Sequence, residues 1–124
     1  MKASKKPISG EHKVYFTDGT LSGVERYKDG KKHGQCKFWY KNGQQKAIGK
    51  FANNKFEGPW TWWRENGELL QVGKFKSGQQ DGIWKRYFDN GKLIDEGNWK
   101  IGKRVGVWRK YDKAGKLIRT TNYK

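Results

Sequence analysis

Gly58-Pro59-Trp60-Thr61-Trp62-Trp63-Arg64-Glu65-Asn66-Gly67-Glu68-Leu69 is followed, 24 residues on, by Gly82-Ile83-Trp84-Lys85-Arg86-Tyr87-Phe88-Asp89-Asn90-Gly91-Lys92-Leu93. The two stretches share Gly-x-Trp, an aromatic three residues later, Asn-Gly and a leucine. Outward from them, glycine recurs at 10, 34, 58, 82 and 106, and again at 19, 43, 67, 91 and 115, with no insertion. A fixed period of this length is the signature of a repeat array. The units run over 10–33, 34–57, 58–81, 82–105 and 106–124, behind a basic N-terminal tail of residues 1–9 that is expected to be flexible.

Each unit carries two turn signals. The first is Asp18-Gly19, Asn42-Gly43, Asn66-Gly67, Asn90-Gly91 or Ala114-Gly115; the second is Asp29-Gly30, Asn53-Asn54, Ser77-Gly78 or Ile101-Gly102. Between them lie runs rich in Trp, Tyr, Phe, Val and Ile, which favour strands, and no apolar residues recur at helical spacing. The expected fold is all-β: an elongated, single-layer antiparallel meander of hairpin repeats. Ten strands at about 4.8 Å give a length of roughly 45 Å.

An interior antiparallel strand must point alternate groups at opposite neighbours, so loop length has a parity. Three-residue loops ending in glycine at both turns satisfy it. That register places Tyr15 beside Leu21, Trp63 beside Leu69, Tyr87 beside Leu93 and Tyr111 beside Leu117. On the opposite face it places Trp60 beside Val72, Trp84 beside Leu70 and Trp108 beside Ile94, with Gly49, Gly73 and Gly97 leaving room for rings to lie flat. Pro59 is discordant, because its missing N–H is aimed at Ala47.

Of 124 residues, 33% are hydrophobic and 15% aromatic, and 28 Lys and Arg against 12 Asp and Glu leave a formal charge of +16. Such a balance points to an anionic partner, although lysine on a sheet also maintains solubility and blocks edge pairing. The single cysteine, Cys36, stands where three other units have tryptophan and reads as a small packing residue. The start, Met1-Lys2-Ala3-Ser4-Lys5-Lys6-Pro7, has no apolar run of signal-peptide or membrane-span length, which gives a cytoplasmic expectation.

The pattern Gly-x-Trp-x-x-Tyr-x-x-Asn-Gly-x-Leu followed by Gly-x-aromatic-x-x-Gly resembles the MORN repeat family, in particular its bacterial antitoxin-like variant. Gly82 to Leu93 and Gly58 to Leu69 are the cleanest matches, and the resemblance covers residues 10 to 124. It implies a binding scaffold, with roles in protein binding, phospholipid binding or toxin neutralisation. The first unit, with Glu25 where later units have Gly49, Gly73 and Gly97, reads as a capping repeat.

Nothing in the sequence has catalytic character. His12 and His33 have no metal-ligand spacing with Cys36, Gly73 to Gly78 lacks a phosphate-loop ending, and neighbouring Asp95 and Glu96 point to opposite faces of a strand. No cofactor, metal or small-molecule substrate is expected. Gly34, Gly58, Gly82, Gly106, Gly43, Gly67 and Gly91 with Trp60, Trp84 and Trp108 are the structural repeat residues. The candidate binding set is a row of Lys13, Lys37, Lys85 and Arg109, with Lys31, Lys55 and Lys103 on the same face and Trp39, Trp63 and Tyr87 between them. Trp39, facing no leucine, is the candidate anchor. Lysines are expected on both faces. An acidic protein is the leading partner, ahead of single-stranded nucleic acid and of a membrane surface, and the open sheet edges allow self-association.

Overall fold

The computed structural model describes residues 8–124. Its strands are β1 (Gly10–Tyr15), β2 (Leu21–Lys28), β3 (Lys31–Lys32), β4 (Gly34–Trp39), β5 (Gln45–Ala52), β6 (Lys55–Trp63), β7 (Leu69–Lys76), β8 (Gln79–Tyr87), β9 (Leu93–Lys100), β10 (Lys103–Tyr111) and β11 (Leu117–Tyr123). They form one open antiparallel sheet in chain order, with β3 pairing β2 as the broken-off start of β4. Among the described residues there is no helix. Of the expected tail, residues 1–7 lie outside the described residues. Ser9 and Ile8 are already tied in: Ser9 Oγ accepts from the Asp29 amide at 3.2 Å, and the Ile8 carbonyl accepts from the Gly30 amide at 2.6 Å.

The two turns differ, which corrects the expectation of three-residue loops throughout. At each Asx-Gly turn the loop has three residues. In Lys41-Asn42-Gly43, Tyr40 N donates to Gln44 O at 2.8 Å and Gly43 N to Tyr40 O at 3.0 Å, and Gly43 has φ +87°. Asn42 Oδ1 accepts from the Gln44 amide at 2.9 Å. In the last unit, where the turn is Ala114-Gly115, Asp112 Oδ1 takes that part by accepting from Ala114 N and Lys116 N.

The other turn has two residues. Lys76 pairs Gln79 directly, and Ser77 and Gly78 have φ +50° and +83°. Positive φ at both central residues defines the type I′ turn, whose twist suits a hairpin. Parity survives because each returning strand holds one unpaired residue: Ser22, Lys46, Leu70, Ile94 and Ile118. The three-residue loop changes the parity once and this bulge changes it back.

The bulges also explain which aromatic neighbours were legible. Tyr15↔Leu21, Trp63↔Leu69, Tyr87↔Leu93 and Tyr111↔Leu117 all pair, since they lie on the turn side of the bulge. Beyond it the register shifts by one, and the Trp60–Val72, Trp84–Leu70 and Trp108–Ile94 assignments fail. Trp60 pairs Gly73 and Trp84 pairs Gly97, while Val72 pairs Thr61 on the other face.

Each tryptophan instead lies on the glycine of the preceding strand. A Cβ on Gly73 would sit 2.1 Å from Trp84 Cδ2, and Gly49 and Gly97 meet Trp60 and Trp108 in the same way. The indole N–H of Trp60, Trp84 and Trp108 donates to Lys50 O, Lys74 O and Asn98 O at 3.0, 3.1 and 3.0 Å. Geometry forces a local break in the ladder: between the Lys50↔Glu57 and Ile48↔Thr61 pairs, Gly58, Pro59 and Trp60 stand opposite Gly49 alone. Gly58 turns the chain there with φ +70°. Pro59 therefore sits where β5 offers no ladder bond, and its missing N–H costs nothing on that side.

The first junction swaps sizes. Cys36, with no exposed surface, takes the tryptophan place, and Glu25, 7% exposed, takes the glycine place. Glu25 is held by Lys32 Nζ at 3.0 Å and by the Tyr27 hydroxyl at 3.3 Å. The main cluster follows at once, with Cys36, Ala47, Phe51 and Trp60 buried and Phe38, Trp62 and Phe75 packed against them.

Candidate functional site

Alternate residues of a strand point to opposite faces, and directly paired residues share a face. The register therefore sorts the sheet. Tyr27, Cys36, Phe51, Trp60, Phe75, Trp84, Trp99 and Trp108 fall on one side, called here the aromatic face. The candidate cations fall on the other.

On that basic face a single file crosses all ten strands of the meander: Lys13↔Val24↔Lys37↔Ile48↔Thr61↔Val72↔Lys85↔Glu96↔Arg109↔Thr120. The structure thus brings Lys13, Lys37, Lys85 and Arg109 into one row, with Val24, Ile48 and Val72 as spacers. Neighbouring cations in the row, Lys13 with Lys37 and Lys85 with Arg109, are two strands apart, about 9.5 Å. The third unit carries Thr61 in the row. Glu96 lies between Lys85 and Arg109, and its carboxylate also accepts from the Tyr111 hydroxyl at 3.1 Å.

Lys31, Lys55 and Lys103 lie on the same face beside the type I′ turns, where Lys31 pairs Lys28, Lys55 pairs Ala52 and Lys103 pairs Lys100. Two of these are lysines set directly opposite lysines, an unfavourable arrangement. Among the described residues, ion pairs on this face join other cations, Arg26 with Glu11 at 3.7 Å and Lys74 with Asp81 at 4.0 Å. The candidate lysines and Arg109 have none.

Sequence reasoning missed Lys28, Lys50, Lys76 and Lys100, which share the face. The signal was present, because Lys28, Lys76, Lys100 and Lys124 recur at the repeat period, as do Arg26, Lys50 and Lys74. The expectation of lysines on both faces is narrowed: strand lysines gather on the basic face, and Lys32, Lys46 and Lys110 are exceptions on the aromatic one. The basic-face cations recur at positions 4, 17, 19 and 22 of the 24-residue unit, and the parity shift of the bulge, which falls between the first two of these, had hidden that they share a face.

Trp39, Trp63 and Tyr87 line the Asx-Gly side of the basic face, all half-buried. Trp63 and Tyr87 are covered by their leucines, whereas Trp39 pairs Gln45. Trp39 also borders a hollow of about 430 Å³ with Thr20, Leu21, Tyr40 and Lys41. Side chains tie this margin from unit to unit. The Tyr40 hydroxyl donates to Trp63 O at 2.6 Å, Asn42 Nδ2 to Glu65 O at 2.8 Å and Asn90 Nδ2 to Lys113 O at 2.8 Å.

On the aromatic face Lys32, Arg86 and Arg104 are engaged. Arg86 forms a two-pronged pair with Asp95, at 2.9 and 2.6 Å, and these hydrogen bonds hold its pKa above the usual arginine value. The Arg104 guanidinium lies 4.7 Å from the Trp108 ring centre and 5.5 Å from that of Trp99. Burial pushes the Cys36 thiol up, which makes it a poor nucleophile.

Among the described residues, no group of three His, Cys, Asp or Glu is placed to hold a metal ion, and no helix is long and apolar enough to cross a membrane. Asp95 and Glu96 do point to opposite faces, toward Arg86 and Tyr111. The arrangement suits non-covalent binding: a rigid plane of unpaired cations at repeating spacing, with a half-covered tryptophan at one margin.

No curated protein matches the chain closely. A family model described as a MORN repeat variant matches residues 32–53, 56–77, 80–100 and 104–124. The first three matches each span one Asx-Gly hairpin between two type I′ turns and the fourth spans the Ala114-Gly115 hairpin; together they cover well over half of the sequence, so the chain belongs to the MORN repeat family.

Proposed function

We propose that this protein is a non-catalytic binding scaffold that holds an acidic protein partner against its basic face. One observation carries the reading: lysines are fixed in rows, and in the pairs Lys28/Lys31 and Lys100/Lys103 they stand face to face, with Glu96 the one carboxylate in the file of Lys13, Lys37, Lys85 and Arg109. Like charges placed opposite each other cost stability. Aspartates and glutamates of a partner, inserted between the rows, remove that repulsion and convert it into affinity. Repeat membership supports the scaffold role.

The resemblance to bacterial antitoxin-like repeats suggests a toxin or other effector as the acidic partner. Single-stranded nucleic acid is the second reading, because phosphates also match cation rows. It is weaker, since base stacking needs free aromatic faces and Trp63 and Tyr87 are covered by Leu69 and Leu93.

The test is affinity capture from the native host with the wild-type chain and with the Lys37→Ala, Lys85→Ala, Arg109→Ala triple variant, followed by mass spectrometry. The reading expects an acidic protein held by the wild type and lost from the variant. Recovery of RNA or DNA alone, with a steep linear fall of log affinity against log salt, favours the second reading.

A further inference from the structure

The aromatic face is not uniform along the array. Units two and three put Phe38, Phe56 and Trp62 on it, where the same repeat positions further along hold Gln80 in unit three, Arg86 and Arg104 in unit four and Lys110 in unit five. Phe56 is 37% exposed and stands proud of its neighbours, stacked on Phe51 and Phe75 with ring centres 5.0 and 4.7 Å away. Phe56 forms one wall of an open hollow of about 410 Å³ that Phe38, Ala47, Phe51, Trp60 and Trp62 also line, with Lys46 among its walls. One apolar patch thus offers both a protruding ring and a basin of similar chemistry.

A sheet with an apolar face is stable when that face is covered by another layer. Within the described residues no second layer exists. We infer that units two and three form the interface of a two-fold, face-to-face dimer, in which Phe56 of each copy enters the basin of the other. The inference is independent of the acidic partner, because it concerns the opposite side of the sheet.

Charge placement favours a second copy over other occupants. At the patch, Lys32 is already paired with Glu25 at 3.0 Å, and Lys46 stands at the rim near the Tyr40 ring. An acidic partner finds its free cations on the far face, and a second copy, although it carries the same +16 charge, can turn its own basic face away. Face-to-face packing sets two sheets about 10 Å apart. The basic faces then point outward, with their charges at least about 20 Å apart, more than two Debye lengths at physiological salt, about 8 Å each.

The four strands β4 to β7, about 19 Å across and about 26 Å along, supply roughly 500 Å² per copy. Both copies together bury about 1,000 Å², the lower limit for a specific interface. The symmetry makes the contact isologous and closed, so assembly stops at two. Edge pairing between β1 and β11, in contrast, would grow without limit.

Sedimentation equilibrium of the full chain, from about 1 µM to about 1 mM, decides the matter. The expected result is a monomer–dimer equilibrium that is unchanged or tighter when salt is raised, with Lys37→Ala, Lys85→Ala, Arg109→Ala retaining it. Phe56→Gln with Trp62→Arg copies Gln80 and Arg86 at the same repeat positions, keeps the strand signal in circular dichroism and weakens the dimer at least tenfold. Should that pair unfold, Trp62→Lys, which copies Lys110, serves in its place. A monomer at every concentration, a dimer insensitive to these substitutions, or open-ended growth would overturn the inference.

Discussion

Cations on the two faces of this sheet live under different rules. On the aromatic face, Lys32 sits 3.0 Å from Glu25 and over the Phe51 ring, Arg86 grips Asp95, and Arg104 lies against Trp99, Trp108 and Tyr123. On the basic face, Lys13, Lys37, Lys85 and Arg109 form a file whose spacers are mostly aliphatic. The difference separates two tasks that share one backbone. Tryptophan on glycine holds unit to unit, and this leaves the opposite side free to carry charge that stability does not need.

If so, the largest losses come from the aromatic face. Gly73→Val places a Cβ about where the Trp84 ring lies, and since the ring is fixed by its bond to Lys74 O, overpacking should cost about 3 kcal/mol or more. Urea unfolding followed by tryptophan fluorescence measures it. A cost below 1 kcal/mol would mean that the ring can move and that the glycine contact is not the joint between units.

The first junction allows a sharper version. Cys36→Trp alone forces an indole onto Glu25 and should destabilise by roughly 2–3 kcal/mol, whereas adding Glu25→Gly recreates the junction of the later units and should recover most of that loss. The same unfolding experiment gives the coupling energy. Additive effects would contradict the size swap described above.

A gain is expected at Ile101, a β-branched residue with φ +47° at the first position of a type I′ turn. Asn53 and Asp29 occupy the equivalent place in other units with φ +51° each, at lower cost. Ile101→Asn should therefore stabilise by about 1 kcal/mol, read as a higher urea midpoint.

The sequence carried the period, the antiparallel meander, the aromatic–leucine pairs and the rows of Lys13, Lys37, Lys85, Arg109 and Lys31, Lys55, Lys103. These depend on counting within a hairpin, where turn residues set the register. The bulges at Leu70 and Ile94 were not legible, because an extra residue in a strand leaves no mark in residue type. The tryptophan neighbours and the gathering of strand lysines on one face were lost with them. The roles of Gly49, Gly73 and Gly97 were visible in kind, as room for a flat ring, but assigning each ring to its glycine needed coordinates. Pro59 was a sign of the ladder break at Gly58, since proline tolerates a strand only where no ladder bond is required.

The central claim, that charge on the basic face serves binding and not folding, is tested most directly on one variant measured twice. Lys37→Ala, Lys85→Ala, Arg109→Ala should unfold within about 0.5 kcal/mol per site of the wild type, as exposed, unpaired cations do. In calorimetric titration with polyglutamate at physiological salt, the same variant should bind about tenfold more weakly or worse, since three surface charge contacts contribute up to about 1 kcal/mol each. A lowered urea midpoint together with unchanged polyglutamate affinity would contradict the account and assign the basic rows to the fold.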